Sequence, residues 1–407
     1  MSRLDAEVLI VGGGLAGNAL AGLLGSKGLE CIVIEAAPKI ENTGLMAEDP
    51  RALAITHASQ RILESIDVWP RLPEERVGRF RGMRVWDENG DGEIEFDSAD
   101  ICQGTLGHII EQSVLQSILQ NVVSFIPAVK TCHNTKLRDI KWKNDSISVV
   151  LDNDEELVAQ LVVAADGVHS TSRELAGISW HVRDYQQQAI ACIVKTALPH
   201  EDLARQRFLT DGPLAFLPMH SAFQSGVVWS TRPGHADDLM AMQAGEFNKV
   251  LQAAFDNTLG EVEESGQRGC FTLQRAQAEH YCKARFVLVG DAAHSVHPLA
   301  GQGANLGFLD VASLAQLILH ARKRNKDIAG KRVLRSYERW RKVENHMMMM
   351  TLEGFKYAFE NQSTPLPMLR NKALDFANSI VPLKNTIMRH AMGLSGDLPT
   401  LAKGNLT

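Results

Sequence analysis

Two carboxylates that close apolar runs are the residues in this chain best placed to hold a ligand. Asp291 follows Phe286-Val287-Leu288-Val289-Gly290, and the turn Gly301-Gln302-Gly303-Ala304-Asn305 comes shortly after it. The apolar run reads as a buried strand, so the carboxylate lies at the carboxyl edge of a sheet, where α/β folds bind ligands. Helical periodicity over residues 306–319 follows the turn. Gly301 and Gly303 let backbone N–H groups come close to a ligand at that helix's N-terminus, where the dipole favours negative charge. A carboxylate for sugar-like hydroxyls beside an N–H cradle suits a polyol-linked heteroaromatic ring. The flavin end of FAD is such a group.

The second carboxylate, Glu35, ends Cys31-Ile32-Val33-Ile34. Upstream, Val8-Leu9-Ile10-Val11 runs directly into Gly12-Gly13-Gly14-Leu15-Ala16-Gly17, a G-x-G-x-x-G, and a helix stopped by Gly28 joins the two strands. Glycine permits the tight turn and the approach of a pyrophosphate, while the acid is placed for ribose hydroxyls. A bare G-x-G-x-x-G is also the pattern of a ligand-free turn; strand, turn, helix, strand and acid in register make it a dinucleotide site. The motif does not choose between NAD and FAD. Gly290-Asp291 does, because a simple NAD enzyme has no reason to carry another ligand-facing carboxylate so far downstream. A third strand, Leu161-Val162-Val163-Ala164-Ala165, ends in Asp166-Gly167 and meets a Ser170-Thr171-Ser172 turn able to cap a helix carrying Arg173.

These sites need a scaffold, and the pattern predicts a mixed α/β (α+β) chain. A discontinuous Rossmann-like FAD-binding domain would comprise residues 1–75, 106–177 and 271–330. A β-rich substrate domain would comprise 76–105 and 178–270, with a helical region over 331–407. Residues 80–96 alternate around Glu88-Asn89-Gly90-Asp91-Gly92, which reads as a hairpin. Pro213 and Pro218 bracket Leu214-Ala215-Phe216-Leu217 and limit it to a short or edge-like strand. A helix break is expected near Pro365 and Pro367.

Composition narrows the function classes. A chain of 407 residues can hold two domains around a large core, and 45% hydrophobic with 22% charged residues is ordinary for a globular enzyme. A formal charge of -6 argues against nucleic acid as a main partner. The six cysteines are scattered, with no C-x-x-C and no metal-ligand spacing, so reduced thiols and no metal are expected. The first strand begins too early for a signal peptide, and no apolar run reaches the length needed to cross a bilayer. A cytoplasmic protein is expected, with contact at the inner membrane as the peripheral reading. No G-x-S-x-G turn accompanies His294, and no second G-x-G-x-x-G marks a separate NAD domain.

GGGLAG, AADGVHSTSR and GDAAHSVHPLAGQGANLGFLD together resemble the FAD-dependent aromatic hydroxylases, the single-component flavoprotein monooxygenases, in order and spacing over nearly the whole chain. DPRALAI, HIIEQSVLQSIL, ARQRFLTDGPLAFLPM and RHAMGL are similar to the ubiquinone-biosynthesis branch, most of all the bacterial 2-polyprenylphenol hydroxylases. The resemblance implies a mainly antiparallel sheet roofing the flavin. It implies that NAD(P)H reduces FAD, and that oxygen carried as a hydroperoxide at flavin C4a attacks a polyprenylated phenol. Arg51 resembles the family's arginine near the flavin, Gln112 stands where relatives present Asn or Arg, and Pro298 would lie beside the reactive face. The Asp166–Arg173 region serves NAD(P)H as well as FAD in the family. His297 has two readings, a group that positions or deprotonates the phenol or a packed histidine, and no catalytic base is assigned. The competing activities are hydroxylation of a small soluble aromatic compound and FAD-dependent reduction of a prenyl chain.

Two further stretches bear on partners. Ten basic residues fall within 322–342 against only Asp327 and Glu338. That reads as a solvated helix face, or as contact with an anionic membrane or an acidic member of a biosynthetic complex. Met347-Met348-Met349-Met350 reads as adaptable helix packing, or as lining for an apolar channel. No pattern specifies an oligomer.

Overall fold

The computed structural model describes residues 4–40, 49–88, 93–296, 301–360 and 381–403. Its organising element is the strand Ala6–Val11, apolar enough to be buried on both faces. It pairs in parallel with Cys31–Ile34 on one side and Glu156–Ala164 on the other. Val129–Cys132 extends the sheet beyond Cys31–Ile34, and Phe286–Leu288 extends it beyond Glu156–Ala164. Chain order therefore reverses at the first strand, and a crevice opens at the carboxyl ends there. Near-continuous Val, Ile and Leu in these strands fit a sheet covered by helices. The helix Leu15–Gly25 packs on Gln112–Ser124 and on Gln302–Lys323.

A second sheet runs in the order His294–Ser295, Gly269–Ala278, Trp180–Thr196, Gln224–Thr231, Gly212–Pro218, Leu203–Leu209, Gly82–Asp87, Glu93–Asp97. All its pairings are antiparallel except that of Gly82–Asp87 with Leu203–Leu209. Side chains alternate between its faces. Ile190, Cys192, Leu214, Phe216, Val227 and Trp229 pack on one side with Phe247, Leu251 and Phe255 from the neighbouring helix and the turn after it. The other face carries smaller residues and looks toward the first sheet's crevice. A third, three-stranded sheet joins Ala52–Ile55, Gly107–Glu111 and Val77–Phe80.

Three expectations need correction. Gly212–Pro218 is paired on both sides and is no edge strand. Its prolines sit at the two ends, so the residues between them still supply the ladder bonds. The boundary expected at residue 271 falls inside Gly269–Ala278, a strand of the second sheet. Finally, Gln302–Lys323 is long and apolar enough to cross a membrane, but most of it is buried inside the core, which supplies its apolar surroundings. The strands Gly82–Asp87 and Glu93–Asp97 form the expected hairpin pair, while Asn89, Gly90, Asp91 and Gly92 lie outside the described residues, as do Pro365 and Pro367.

Candidate cofactor and substrate site

Each glycine of the first motif has its own reason. Gly12 has φ +102°, and a Cβ there would overlap the Ala165 carbonyl of the adjacent strand. A Cβ at Gly17 would overlap the Gly12 carbonyl, so this glycine seats the helix on the turn. Gly14 differs from both: its φ is -72°, open to any residue, and its Cβ would meet no protein atom within 4 Å. It lines a large cavity, with Leu15 and Ala16 beside it. No clash within the protein requires glycine at this helix N-cap, whereas the approach of a ligand would. Glu35 is fixed at the strand end by Gly13 N–H (2.5 Å to Oε2) and Ala37 N–H (2.7 Å to Oε1). Each oxygen keeps a lone pair for a ribose hydroxyl.

The cavity, about 490 Å³, runs from this turn to Gly290-Asp291. Asp291 makes no hydrogen bond to a described residue and opens onto the cavity. Its exposed area faces the cavity, and the surrounding protein raises the carboxyl's pKa by desolvation, against the pull of His294. Gly301 (φ +61°) begins the helix Gln302–Lys323 against Ala54, while a Cβ at Gly303 would meet nothing. Gly303, Ala304, Arg51 and Gln112 line the same cavity. The Arg51 guanidinium lies 3.4 Å from Asp49 and over the ring of Phe271. These unfilled glycine positions and the uncommitted carboxylate at opposite ends of one cavity fit FAD. Asp291→Ala should weaken FAD binding by about one to two powers of ten, since a hydrogen bond to a charged acceptor is worth about 1.5–3 kcal/mol. Unchanged affinity in a flavin titration would reduce Asp291 to a turn residue.

Other expected contacts have partners within the protein. Asp166 accepts from the Ser170 hydroxyl (2.5 Å) and the Ser172 N–H (2.9 Å), so its carboxylate caps its own turn. Arg173 is buried, stacks on Trp180 and donates to the Val168 and Ala292 carbonyls, tying the Asp-Gly turn to the Gly-Asp turn. It braces the site without reaching the cavity. Gln302 donates to the Ala391 carbonyl. Asn305 clamps Ala54, Thr56, Ser59 and Gly301. The side chains of Gln302 and Asn305 therefore hold the scaffold, leaving only their backbone to the cradle. His297 and Pro298 lie outside the described residues. The methionine run is absent from the cavity lining, to which Met83 and Met392 contribute.

Sequence reasoning missed a buried charge network behind the flavin end. Asp310 accepts from Gly290 N–H (3.1 Å) and pairs with His294 (2.5 Å), holding the turn that carries Asp291. Its other oxygen takes Arg341 Nε (2.8 Å) and Asn345 Nδ2 (3.1 Å) from the helix Lys331–Glu360. Burial alone would raise the Asp310 carboxyl, but His294 and Arg341 outweigh it and hold it at about 2. With a folded value below the unfolded one, this group's stabilisation is present above about pH 4 and is lost as pH falls toward 2. Asp310→Ala, which strands Arg341, should cost about 3–5 kcal/mol at neutral pH in urea unfolding. A loss under about 1 kcal/mol would show the network to be slack.

The second sheet supplies the cavity's other wall. Alternate residues of adjacent strands face it: Phe271 and Leu273, Ala189 and Ala191, Val228 and Ser230, Pro213, Ala215 and Leu217, Ala204 and Gln206. Small side chains at these positions create the volume. Not one of them is ionisable.

Residues 5–351 match the family described as FAD binding domain. The chain is 34% identical to the ubiquinone hydroxylase UbiL of Rhodospirillum rubrum, covering 98% of this chain and 93% of that one. It is 33% identical to the 3-demethoxyubiquinol 3-hydroxylase of Escherichia coli, covering 97% and 100%. The p-nitrophenol 4-monooxygenase PnpA of Pseudomonas putida shares the fold, with a TM-score of 0.79 at 20% identity over 98% of this chain and 100% of that one. The chain belongs to the FAD-dependent monooxygenases. Within them its sequence falls with the ubiquinone-biosynthesis hydroxylases.

Proposed function

We propose that this enzyme uses NAD(P)H and O2 to hydroxylate the ring of a polyprenylated phenol in ubiquinone biosynthesis. The observation that carries this reading is the sheet wall of the cavity, largely apolar and without an ionisable side chain. A small aromatic acid would need a charged anchor at that wall, because a carboxylate taken out of water unpaired is strongly disfavoured, and Arg51, the cation beside Phe271, is already paired with Asp49. A phenol with an apolar tail needs only space and apolar surface. The names of UbiL, a ubiquinone hydroxylase, and of the E. coli 3-demethoxyubiquinol 3-hydroxylase support the same substrate class.

Bound FAD supplies electron transfer from NAD(P)H and oxygen activation. Gly14 and Glu35 would hold its adenosine diphosphate end and Asp291 its ribityl chain, with Arg51 and Gln112 beside the flavin. The sheet wall holds the ring and excludes water, which an oxygen-transferring site requires. Tail burial supplies remote binding energy of about 0.8 kcal/mol per methylene, which can be used to hold the ring in place. A short-prenyl phenol should therefore yield more hydroxylated product per NAD(P)H consumed than the same phenol without a tail, which should mostly release hydrogen peroxide. Equal coupling, or better coupling with a free aromatic acid, would leave only the broader hydroxylase class. Turnover with no oxygen consumed would point to prenyl-chain reduction.

A further inference from the structure

The exposed ridge of the helix Lys331–Glu360 changes character along its length. At helical spacing it presents Arg332, Arg335 and Arg339, and then Val343, Met347 and Met350. The last three are 54%, 53% and 51% exposed, although large apolar side chains on a helix normally face the core. The three arginines have no ion-pair partner among the described residues, and exposed Lys323, Lys326 and Lys331 extend the same basic surface from the preceding helix end and loop. This occurs on a chain of formal charge -6. Of the basic run, Arg341 alone turns fully inward, to Asp310.

We propose that this ridge docks the enzyme on an anionic lipid bilayer, the arginines on headgroup phosphates and Val343, Met347 and Met350 in the acyl boundary. A helix with a basic stretch and an apolar stretch on one face has the composition of an interfacial element, in which electrostatic attraction and apolar burial act together. Arginine stems can lie along apolar surface while their guanidinium groups reach phosphate. The location relative to the cavity adds a second observation. Met348, on the helix's inner side, packs in a cluster with Met83 and Val296, and both of those line the cavity. The apolar end of the ridge and the cavity-lining Met83 and Val296 thus lie on opposite sides of the same stretch of helix.

The test uses full-length holoprotein and sedimentation with extruded vesicles, either phosphatidylglycerol with phosphatidylethanolamine or phosphatidylcholine alone. Partitioning should favour the anionic vesicles by at least about tenfold at low salt and weaken as salt rises. Arg332→Glu/Arg335→Glu/Arg339→Glu and, separately, Met347→Ser/Met350→Ser should each lower it by about tenfold or more, with unchanged circular dichroism and flavin content. No partitioning, or partitioning indifferent to both variants, overturns the proposal. Loss with the charge reversals alone also overturns it, since it would show adsorption without insertion. So does a dimer that the methionine variant dissociates, because a second copy would then cover the ridge. Vesicle binding is read without turnover, so its failure is distinct from failure of the substrate assignment.

Discussion

Gly14→Val is expected to yield a folded, colourless protein. At φ -72° the backbone of Gly14 accepts an L residue, and the new Cβ would meet no protein atom within 4 Å. Its bulk would instead occupy the space where a pyrophosphate approaches the N-terminus of Leu15–Gly25. Losing that approach should weaken FAD binding by at least about three powers of ten, or roughly 4 kcal/mol. Gly17→Ala is the contrasting variant. Its methyl would overlap the Gly12 carbonyl, so the turn itself must shift and stability should fall along with flavin content. The measurements are flavin absorbance per protein and thermal unfolding of each apoprotein. A yellow Gly14→Val with normal activity would remove the first motif from the cofactor site.

The same sorting shows what the sequence could convey. Apolar runs ending in Glu35 and Asp291 were legible because parallel strands covered by helices must be apolar and must end at the crevice. Which way a turn's side chains point was not legible. Asp166 carries the same signature as Asp291, yet two serine groups within six residues satisfy it locally. Asn305 and Gln302 share a turn with Gly303 but rotate into packing, since helical residues that close in sequence face different sides. Pairing across long separations was hidden too: Asp310 and Arg341 lie on different helices, and Arg341 reads as one more surface base. A signal was present nonetheless. Leu334, Tyr337, Arg341, Asn345 and Met348 recur at helical spacing on the buried face, so a charge at that position requires a buried partner.

The sheet wall of the cavity was legible only once strand pairing was known, because alternation identifies a face but does not say what the face looks at. Its alanines make a sharp experiment. Ala215 lines the cavity between Pro213 and Leu217, while its neighbours Leu214 and Phe216 point into the helix-covered core. Ala215→Trp would therefore add bulk to the cavity without overpacking that core. The indole should displace apolar substrate volume worth several methylenes, so kcat/KM for a prenylated phenol is expected to fall by about two powers of ten, roughly 2.7 kcal/mol. FAD content should hold, since Gly14, Gly303 and Asp291, proposed to hold the cofactor, belong to other elements of the cavity lining. Reduction of the flavin by NAD(P)H without a phenol should likewise be kept, which separates a blocked ring site from a damaged cofactor site. Leu214→Trp, one residue away but facing Phe216, Trp229 and Phe255, should instead destabilise the protein by about 1–3 kcal/mol through overpacking. If Ala215→Trp turns over the prenylated phenol at the wild-type rate, the ring and tail bind elsewhere, and the uncharged sheet wall no longer supports the substrate assignment.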